Sequence, residues 1–313
     1  MAAHDNSPLP SPPFFLIPNI NNLRDAAISL STPHGSIRQG ILFRSAEVSK
    51  LDRSGWDAVH AVGVAHVFDL RSKPEVEKGW AGIVAKVDGT EDVRPSWLVD
   101  MESAGVQRTW VPVFTETDYS PEKLAERYQK YMQDSVEGFV AAYRGILASG
   151  GPAYKQIFTY LANLPPASAQ QNAEAPGAHK LGALVHCTAG KDRTGVFFGL
   201  LFDFLGVPRA HIAAEYQLTE PGLAPVRDAV VERLLQSPGF QKYMQSTQDF
   251  SPEVREKGRQ AALRMVGARK ESILATLEMV DREFGGSERY MREVCGLGDA
   301  ELEGLRRVLV VEQ

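Results

Sequence analysis

One short stretch of the sequence carries residues that could act together on a phosphate group. The apolar run Ala183-Leu184-Val185 is followed by His-Cys-Thr-Ala-Gly-Lys-Asp-Arg-Thr-Gly over residues 186–195. Five residues separate Cys187 from Arg193, so a loop that curls round one tetrahedral anion brings both side chains to it. The backbone N–H groups of such a loop point inward, and the helix predicted to follow adds its positive dipole end. The stretch therefore predicts a phosphate-binding loop with a thiol at its base.

Each member of this loop fits one role in a two-step transfer of a phosphoryl group. Cys187 attacks phosphorus as the thiolate, which Arg193, Lys191 and the inward amides favour, and water then hydrolyses the cysteinyl phosphate. Arg193 has the planar fork that grips two phosphate oxygens and stabilises the transition state. His186 holds the loop or tunes the thiolate, and the Thr194 hydroxyl donates to the departing sulfur. The residues predicted to bind the substrate are Thr188, Ala189, Gly190, Lys191 and Thr194.

Taken singly, these residue types have simpler explanations. A lone cysteine at a strand end is usually a small buried apolar residue, and a lone arginine is usually a surface charge. The combination at a strand-to-helix junction is different, because every member has a place in one mechanism. The pattern as a whole therefore predicts an enzyme.

The rest of the sequence predicts an α/β fold, with a central sheet flanked by helices and a helical C-terminal addition. Strand patterns lie mainly before residue 187, and helical patterns fill most of the C-terminal half. Arg44 and Asp69 end two predicted strands, where ligand groups gather in α/β sheets, so we predict that they support the site. The predicted strands are Phe14–Ile17, Ile41–Ser45, Val64–Leu70, Arg108–Phe114 and residues 183–185.

The helical patterns include one that is apolar almost all round, Val196–Phe202, which predicts a helix buried at the centre of the fold. Gly150-Gly151 is predicted to end a long helix that begins near Ser120. The other predicted helices are Leu51–Val62, Ala153–Leu164, one that starts at Pro208, two or three within residues 223–266, one marked by Ile273 to Phe284, and a last one capped by Asp299 with Leu302, Leu305 and Leu309 inward.

Composition limits the partners and the compartment. The 313-residue chain has a formal net charge of −5, which argues against a nucleic-acid binder, so any attraction for phosphate is local. We find no secretory signal and no apolar run long enough for stable membrane insertion. With only Cys187 and Cys295, the chain has too few cysteines for a disulfide framework, and we predict a cytoplasmic location. No metal-ligand cluster is visible, so we predict no cofactor.

The loop sequence resembles the signature of the cysteine-based protein-tyrosine phosphatases. Its Ala-Gly-Lys-Asp-Arg-Thr-Gly form resembles a bacterial and fungal branch that includes a secreted mycobacterial tyrosine and lipid phosphatase. Other pieces match that branch in order: Asn22–Asp25, Phe43–Ser45, Asp69–Ser72 and Ile273–Leu309. The usual Gly pair after Asn22–Asp25 is Ala26-Ala27 in this chain. The resemblance implies a protein-tyrosine-phosphatase-like central sheet.

The resemblance also bears on domain organisation. We predict a flexible leader over residues 1–13 and a single phosphatase domain over residues 14–313. The polar, Ala- and Gln-rich stretch 167–180 is predicted to be a mobile insertion. The resemblance implies that the helices of residues 223–266 act as a lid, and simple packing is the alternative.

The general acid that protonates the leaving oxygen has three candidates. Asp192 lies inside the loop, where the resembling branch has a proposed acid, and its fixed proximity to the reacting centre makes it the favoured one. Asp118 follows the predicted strand Arg108–Phe114, where dual-specificity phosphatases place their acid. Asp69 ends a predicted central strand.

Loop and resemblance together predict a phosphatase that hydrolyses phosphotyrosine monoesters, with dual specificity as an extension. A phosphoinositide or inositol-pyrophosphate phosphatase is an alternative, favoured by the charge of Lys191. A catalytically inactive phosphate reader is another, disfavoured because Cys187 and Arg193 are both present. The predicted partner is accordingly a phosphorylated protein or a phosphoinositide.

Overall fold

A five-stranded sheet forms the centre of the protein. The structure is a computed structural model that describes residues 9–78, 95–115, 121–131, 133, 135–167, 180–237, 240–241 and 252–312. The strands, in chain order, are β1 (Arg24–Asp25), β2 (Ser31–Thr32), β3 (Gly35–Ile37), β4 (Leu42–Ser45), β5 (Val64–Asp69), β6 (Gln107–Trp110), β7 (Gly182–His186) and β8 (Val310–Val311). The central sheet has the order β1-β4-β7-β5-β6, and a small second sheet has the order β2-β3-β8.

Four neighbouring strands of the central sheet run parallel, which gathers their carboxyl ends at one edge. The register pairs Ser45 with His186, His186 with Asp69, and Asp69 with Trp110. Only β1 is antiparallel to its neighbour, β4. Ligands of α/β sheets bind at such an edge. The sheet therefore places Cys187, which follows His186, beside the ends of two other strands.

Helices cover both faces of this sheet. In chain order they are α1 (Arg53–Ala61), α2 (Lys73–Lys78), α3 (Ser96–Ser103), α4 (Pro121–Tyr131), α5 (Val136–Ala162), α6 (Asp192–Phe204), α7 (Arg209–Gln217), α8 (Thr219–Leu223), α9 (Arg227–Gln236), α10 (Pro252–Val266), α11 (Lys270–Phe284), α12 (Ser287–Glu293) and α13 (Asp299–Leu309). Trp56 of α1 and Trp97 of α3 stack in one apolar cluster, whereas α5 and α6 belong to the larger cluster. The predicted α/β fold with a helical C-terminal addition is confirmed.

The helix that follows the loop is the most deeply buried one. Eleven of the 13 residues of α6 are buried, as its apolar sequence predicted. The predicted inward side chains of α13, Leu302, Leu305 and Leu309, are also buried. The N-cap of α13 is Gly298, one residue earlier than the predicted cap Asp299, which is the first helical residue.

The prediction that Gly150-Gly151 ends a helix is wrong. Helix α5 continues through both glycines and Pro152 to Ala162, while the break falls between α4 and α5. A Cβ on Gly151 would lie only 2.6 Å from the Val294 carbonyl oxygen, so this glycine permits close packing. Proline inside a helix costs about 3 kcal/mol, and the buried side chains on both sides of Pro152 offset that cost.

Two predicted strands are shorter than expected. Phe14 makes a single bridge to Arg24, and residues 15–17 form no strand. Strand β6 ends at Trp110, before Pro112, which has no N–H to offer to a neighbouring strand. Both segments still supply buried apolar side chains, Phe14 and Val113 among them.

The predicted domain boundaries lie largely outside the described residues. Residues 1–8 of the leader and 168–179 of the insertion are among those the structure does not describe, so these assignments stay predictions. Within the predicted lid, α9 and α10 pack together through a small apolar cluster of their own, which includes Val231 and Ala262. Among the described helices, none combines the length and apolar character needed to cross a membrane. The cytoplasmic location stays a prediction.

Candidate active site

The predicted loop joins the central strand of the sheet to its most buried helix. Cys187 directly follows β7, and α6 begins five residues later at Asp192. The Cys187 side chain is 1% exposed. The buried thiol thus lies between the end of a strand and the start of a helix, and helix N-termini favour anions.

Four consecutive backbone amides of this loop are available to a ligand. No described residue accepts a hydrogen bond from the N–H groups of Thr188, Ala189, Gly190 or Lys191. Gly190 and Lys191 are buried, and buried backbone N–H groups are nearly always paired, so this row of amides points to a ligand rich in acceptors. A phosphate group has three terminal oxygens that match such a set.

Gly190 takes the left-handed conformation that the tight loop needs. Its φ is +64°, and a Cβ there would lie 2.0 Å from the Ser45 carbonyl oxygen. Both the backbone angle and the lack of space exclude other residue types. The end of β4 thus sets how closely the loop packs on the sheet.

A buried polar cluster holds the carbonyl side of the loop. The Asn22 amide donates to the carbonyls of Ala189, at 3.2 Å, and Gly190, at 3.4 Å. Arg44 donates from Nη2 to the Gly190 carbonyl at 2.8 Å. Arg24 and Arg44 both pair with the Glu215 carboxylate, at 2.8 and 2.6 Å. We call Asn22, Arg24, Arg44 and Glu215 the Gly190 brace.

Arg193 is held by a glutamate that sequence reasoning missed. Its Nη1 and Nη2 atoms each lie 2.7 Å from one carboxylate oxygen of Glu75 in α2. Nη1 also contacts the Leu70 carbonyl at 3.4 Å, and Nη2 contacts the Thr188 hydroxyl at 3.1 Å. Thr188 itself donates to Glu75. In this structure both terminal nitrogens of the Arg193 guanidinium thus contact acceptors of the protein itself.

The sequence did contain a signal for Glu75. Ser72 and Glu75 form a capping pair at the start of α2, in which the Ser72 N–H and hydroxyl donate to Glu75 at 2.9 and 3.0 Å. The Ser-x-x-Glu spacing is typical of a helix start. That motif predicts the helix, but it does not predict the contact with Arg193.

Asp192 lies at the start of α6 under two tyrosines. The Tyr143 hydroxyl donates to Asp192 Oδ1 at 2.8 Å and lies 2.6 Å from the Tyr216 hydroxyl. Burial, followed by the negative charge of Asp192, raises the pKa of Tyr143 well above its ordinary value, so this hydroxyl keeps its proton. The Asp192 side chain is 25% exposed and so borders both the buried tyrosines and the surface.

The Lys191 ammonium faces the end of the predicted lid. It lies 3.3 Å from Asp192 Oδ1 and donates to the carbonyls of Met265 and Gly267, which close α10. Its Nζ is also 5.3 Å from the centroid of the Phe139 ring. The side chain is almost fully buried. Lys191 therefore links the phosphate-binding loop to α10.

Asp69 is a buried carboxylate between arginines. Both oxygens accept from Arg71, and Oδ2 also accepts from Arg108 at 2.8 Å. Burial alone raises the pKa of Asp69, but these positive charges and hydrogen bonds outweigh it, and the net pKa lies well below its usual range. Asp69 is accordingly ionised at neutral pH.

His186 lies beside this carboxylate. Its Nε2 is 3.6 Å from Asp69 Oδ1, and Nδ1 donates to the Cys187 carbonyl at 3.1 Å. Burial lowers the pKa of His186 to about 4, so the ring is neutral at pH 7. This places His186 as a neutral support for the main chain of Cys187.

Thr194 and Asp118 are the remaining residues of the predicted site. The Thr194 hydroxyl is buried and has no hydrogen-bond partner among the described residues, the Cys187 sulfur included. Asp118, the alternative acid, lies outside the described residues. Within the described part of the chain, no group of three His, Cys, Asp or Glu side chains could hold a metal ion.

Comparison with known proteins places this site in a family. The sequence model of the tyrosine phosphatase family matches residues 15–311. The chain belongs to this family. It is a phosphatase that acts on phosphotyrosine, and the match spans the strands, the loop and the helices that build the site.

Two curated relatives agree with this assignment. A triple specificity protein phosphatase, PtpB, from Mycobacterium tuberculosis is 27% identical over 310 residues, which cover 94% of this chain and 98% of the relative. A tyrosine-protein phosphatase from Nostoc commune is 28% identical over 263 residues, which cover 84% of this chain and 72% of the relative. The predicted family resemblance is thereby confirmed.

Proposed function

We propose that the chain hydrolyses phosphotyrosine through a covalent intermediate on Cys187. The observation that carries the proposal is the row of four loop amides without acceptors among the described residues, set between a buried thiol and Arg193. The Cys187 sulfur attacks phosphorus and forms an S–P bond, while the bond from phosphorus to the leaving oxygen breaks. Water then attacks phosphorus, the S–P bond breaks, and inorganic phosphate leaves. The loop amides and Arg193 stabilise the charge on the phosphoryl oxygens.

Asp192 is the proposed general acid. It delivers a proton to the leaving phenolate oxygen in the first step, and the resulting carboxylate takes a proton from water in the second. Its position in the first turn of α6, with the Tyr143 hydrogen bond fixing one oxygen, supports this role. Asp69 is a poor candidate because its low pKa leaves it without a proton to give.

Thr194 is the proposed hydrogen-bond donor to the sulfur when the second step releases it. A buried hydroxyl without a partner costs about 1–3 kcal/mol, so its place beside the loop suits a partner that appears only during the reaction. The backbone of Thr188 to Lys191 is proposed to bind the phosphate oxygens.

The proposed substrate is a phosphoprotein, with phosphotyrosine first and dual specificity as an extension. The name of the mycobacterial relative, a triple specificity protein phosphatase, supports breadth. A phosphoinositide substrate would need a cation beside the phosphate-binding loop to bind its additional phosphates. The Lys191 ammonium already contacts Asp192 and two backbone carbonyls. The phosphopeptide is therefore the stronger proposal.

Hydrolysis of p-nitrophenyl phosphate tests the nucleophile. We expect Cys187→Ser to lose activity by about 10⁴-fold or more, because the covalent route is closed. Cys295→Ser is the matched control, since Cys295 is also buried, and it should keep its activity. Full activity in Cys187→Ser would overturn the mechanism.

A comparison of leaving groups tests the acid. Asp192→Asn should slow hydrolysis of a phosphotyrosine peptide by about 10²-fold, and slow p-nitrophenyl phosphate less, because p-nitrophenolate leaves with little help from a proton. The variant should also lose the basic limb of its pH–rate profile. If Asp118→Asn shows this pattern and Asp192→Asn does not, Asp118 is the acid. A panel of phosphoserine, phosphothreonine and phosphoinositide substrates then sets the specificity.

A further inference from the structure

We propose that Asn22 is a positioning residue, which turns two peptide groups of the loop into the orientation that binds phosphate, and that Glu215 holds it there. The inference rests on the proposed function, because it assumes that the loop binds the phosphoryl group. It extends that function to a segment far from the loop in sequence, since Asn22 and Gly190 are 168 residues apart.

The geometry of a trans peptide links each carbonyl of the loop to the amide that follows it. Its C=O and N–H point in opposite directions, so holding a carbonyl on the outside of the loop turns the next N–H to the inside. The carbonyl of Ala189 thereby sets the N–H of Gly190, and the carbonyl of Gly190 sets the N–H of Lys191. A donor that reaches both carbonyls from outside controls two of the four amides proposed to bind the phosphate.

Asn22 is that donor. Its Nδ2 contacts the Ala189 carbonyl at 3.2 Å and the Gly190 carbonyl at 3.4 Å, and its side chain is buried. Arg44 adds a second donor to Gly190 at 2.8 Å. Because Gly190 has a φ of +64° and no Cβ, its flanking peptides lack the steric restraint of other residues, and the outside donors supply that restraint.

The orientation of the Asn22 amide is itself determined. Arg24 donates from Nη1 to Asn22 Oδ1 and to the Asn22 backbone carbonyl at 3.3 Å. Since a guanidinium only donates, Oδ1 faces Arg24 and Nδ2 faces the loop. A Cβ on Gly222 would lie 2.2 Å from Oδ1, so helix α8 closes the other side. Oδ1 thus lies between Arg24 and Gly222, and Nδ2 points to the loop carbonyls.

Glu215 anchors both donors. Its two oxygens each accept a hydrogen bond from one arginine, Oε1 from Arg24 and Oε2 from Arg44. Burial lowers the pKa of Arg24 to about 10, so this guanidinium stays charged at neutral pH. The Glu215 carboxylate in α7 thus holds Arg44, which contacts Gly190 directly, and Arg24, which contacts it through Asn22. The two arginines and Glu215 together carry a net charge of +1 behind the anion site.

The test is Asn22→Gly, with Asn19→Gly as its matched control. Both positions have a left-handed φ, 60° and 64°, so glycine removes the side chain without straining the backbone. Asn19 is exposed and lies three residues away in the same segment. We expect Asn22→Gly to lower kcat for p-nitrophenyl phosphate by about tenfold and to weaken inhibition by inorganic phosphate by about tenfold. Asn19→Gly should change neither.

The rate at which iodoacetamide alkylates Cys187 at pH 6 separates positioning from mere stability. Two amides turned away from the sulfur favour its thiolate less, so we expect alkylation in Asn22→Gly to slow several-fold below the melting transition. Burial raises the pKa of the Cys295 thiol to about 12, so Cys295 stays silent at this pH. A general loss of packing would speed alkylation of both cysteines instead.

Unchanged kcat, phosphate inhibition and alkylation in a folded Asn22→Gly would overturn the proposal. That result differs from failure of the proposed function, in which Cys187→Ser keeps its activity. Should Asn22→Gly not fold, Arg44→Lys replaces it, because lysine keeps the charge but offers no fork to reach Glu215 and Gly190 together. The same weakening of phosphate inhibition is expected, and wild-type inhibition in that variant would count against the proposal.

Discussion

Two regions hold the phosphate-binding loop, and they hold it in opposite ways. The Gly190 brace presents donors to main-chain carbonyls on the outside of the loop. Glu75 presents an acceptor to the side chain of Arg193 on the inside. Both contacts are buried, and both involve a carboxylate that pairs with arginine.

The difference decides how each region meets the substrate. The Gly190 brace does not compete with phosphate. It donates to backbone carbonyls, which are acceptors and so cannot bind the phosphate oxygens. Glu75 occupies N–H groups of the Arg193 fork that a phosphate oxygen would also seek. Removing the brace should therefore weaken phosphate binding, whereas removing the charge of Glu75 should strengthen it.

The largest expected effect is on stability, and it concerns the carboxylate of the brace. Glu215→Gln leaves Arg24 and Arg44 buried without their counter-charge, and such a loss costs roughly 3–5 kcal/mol in the free energy of unfolding. Urea unfolding measures it. A loss of unfolding free energy below 1 kcal/mol would show that Glu215 does not stabilise the two arginines as a buried ion pair.

A surface pair provides the control for that measurement. Arg144 binds Glu283 through two hydrogen bonds of 2.7 and 2.8 Å, but both side chains are considerably exposed. Exposed pairs contribute about 0–1 kcal/mol. Glu283→Gln should accordingly change the unfolding free energy by no more than that, despite the similar geometry.

A smaller effect, opposite in sign to that of the brace, is expected at Glu75. In Glu75→Gln the neutral amide competes less for Arg193, and the negative charge beside the anion site is gone. We expect inorganic phosphate to inhibit roughly tenfold more strongly, which corresponds to about 1.4 kcal/mol. Inhibition of p-nitrophenyl phosphate hydrolysis at a fixed pH measures this change.

Glu77→Gln is the matched control for Glu75. Glu77 lies on the same helix, is about half exposed, and is 3.7 Å from Lys73. It should leave inhibition by phosphate unchanged. If Glu75→Gln and Asn22→Gly both weaken phosphate binding, the two regions act alike, and Glu75 serves only to orient Arg193.

The smallest expected effect concerns a third support, His186. Its pKa is about 4 in the folded protein and about 6.5 in an unfolded chain, so the unfolded state binds the extra proton between these values. Stability should therefore fall as pH drops through this window, by about 1 kcal/mol from His186 between pH 7 and 5.5.

Urea unfolding across that pH range tests the point. His186→Gln should flatten the slope of stability against pH, and replacement of the exposed His211 by Gln should not. An unchanged slope in His186→Gln would show that His186 is not the group that titrates. A flattened slope would show that the contact of His186 with the Cys187 carbonyl supports the start of the loop in a pH-dependent way.

Sequence reasoning predicted the centre of the site better than its surroundings. The loop from Cys187 to Arg193 and the buried helix α6 follow from neighbouring residues, which local spacing and periodicity reveal. The helix end predicted at Gly150-Gly151 was wrong because the weak helix preference of glycine is a local effect. Close packing of Gly151 against Val294, on a distant segment, outweighs it. Glu75 was missed because its capping motif explains it locally and leaves no sign of a second partner.

By itself the sequence determined which groups lie together at the strand-to-helix junction: a thiol, a carboxyl group and a guanidinium within residues 187–193. Those residues are close in space because they are close in the chain. Only the tertiary structure decided what holds them, since Glu75 is 118 residues from Arg193, and Arg44 is 171 residues from Glu215. Contacts at such separations come from the order and register of the parallel strands, which no local pattern encodes.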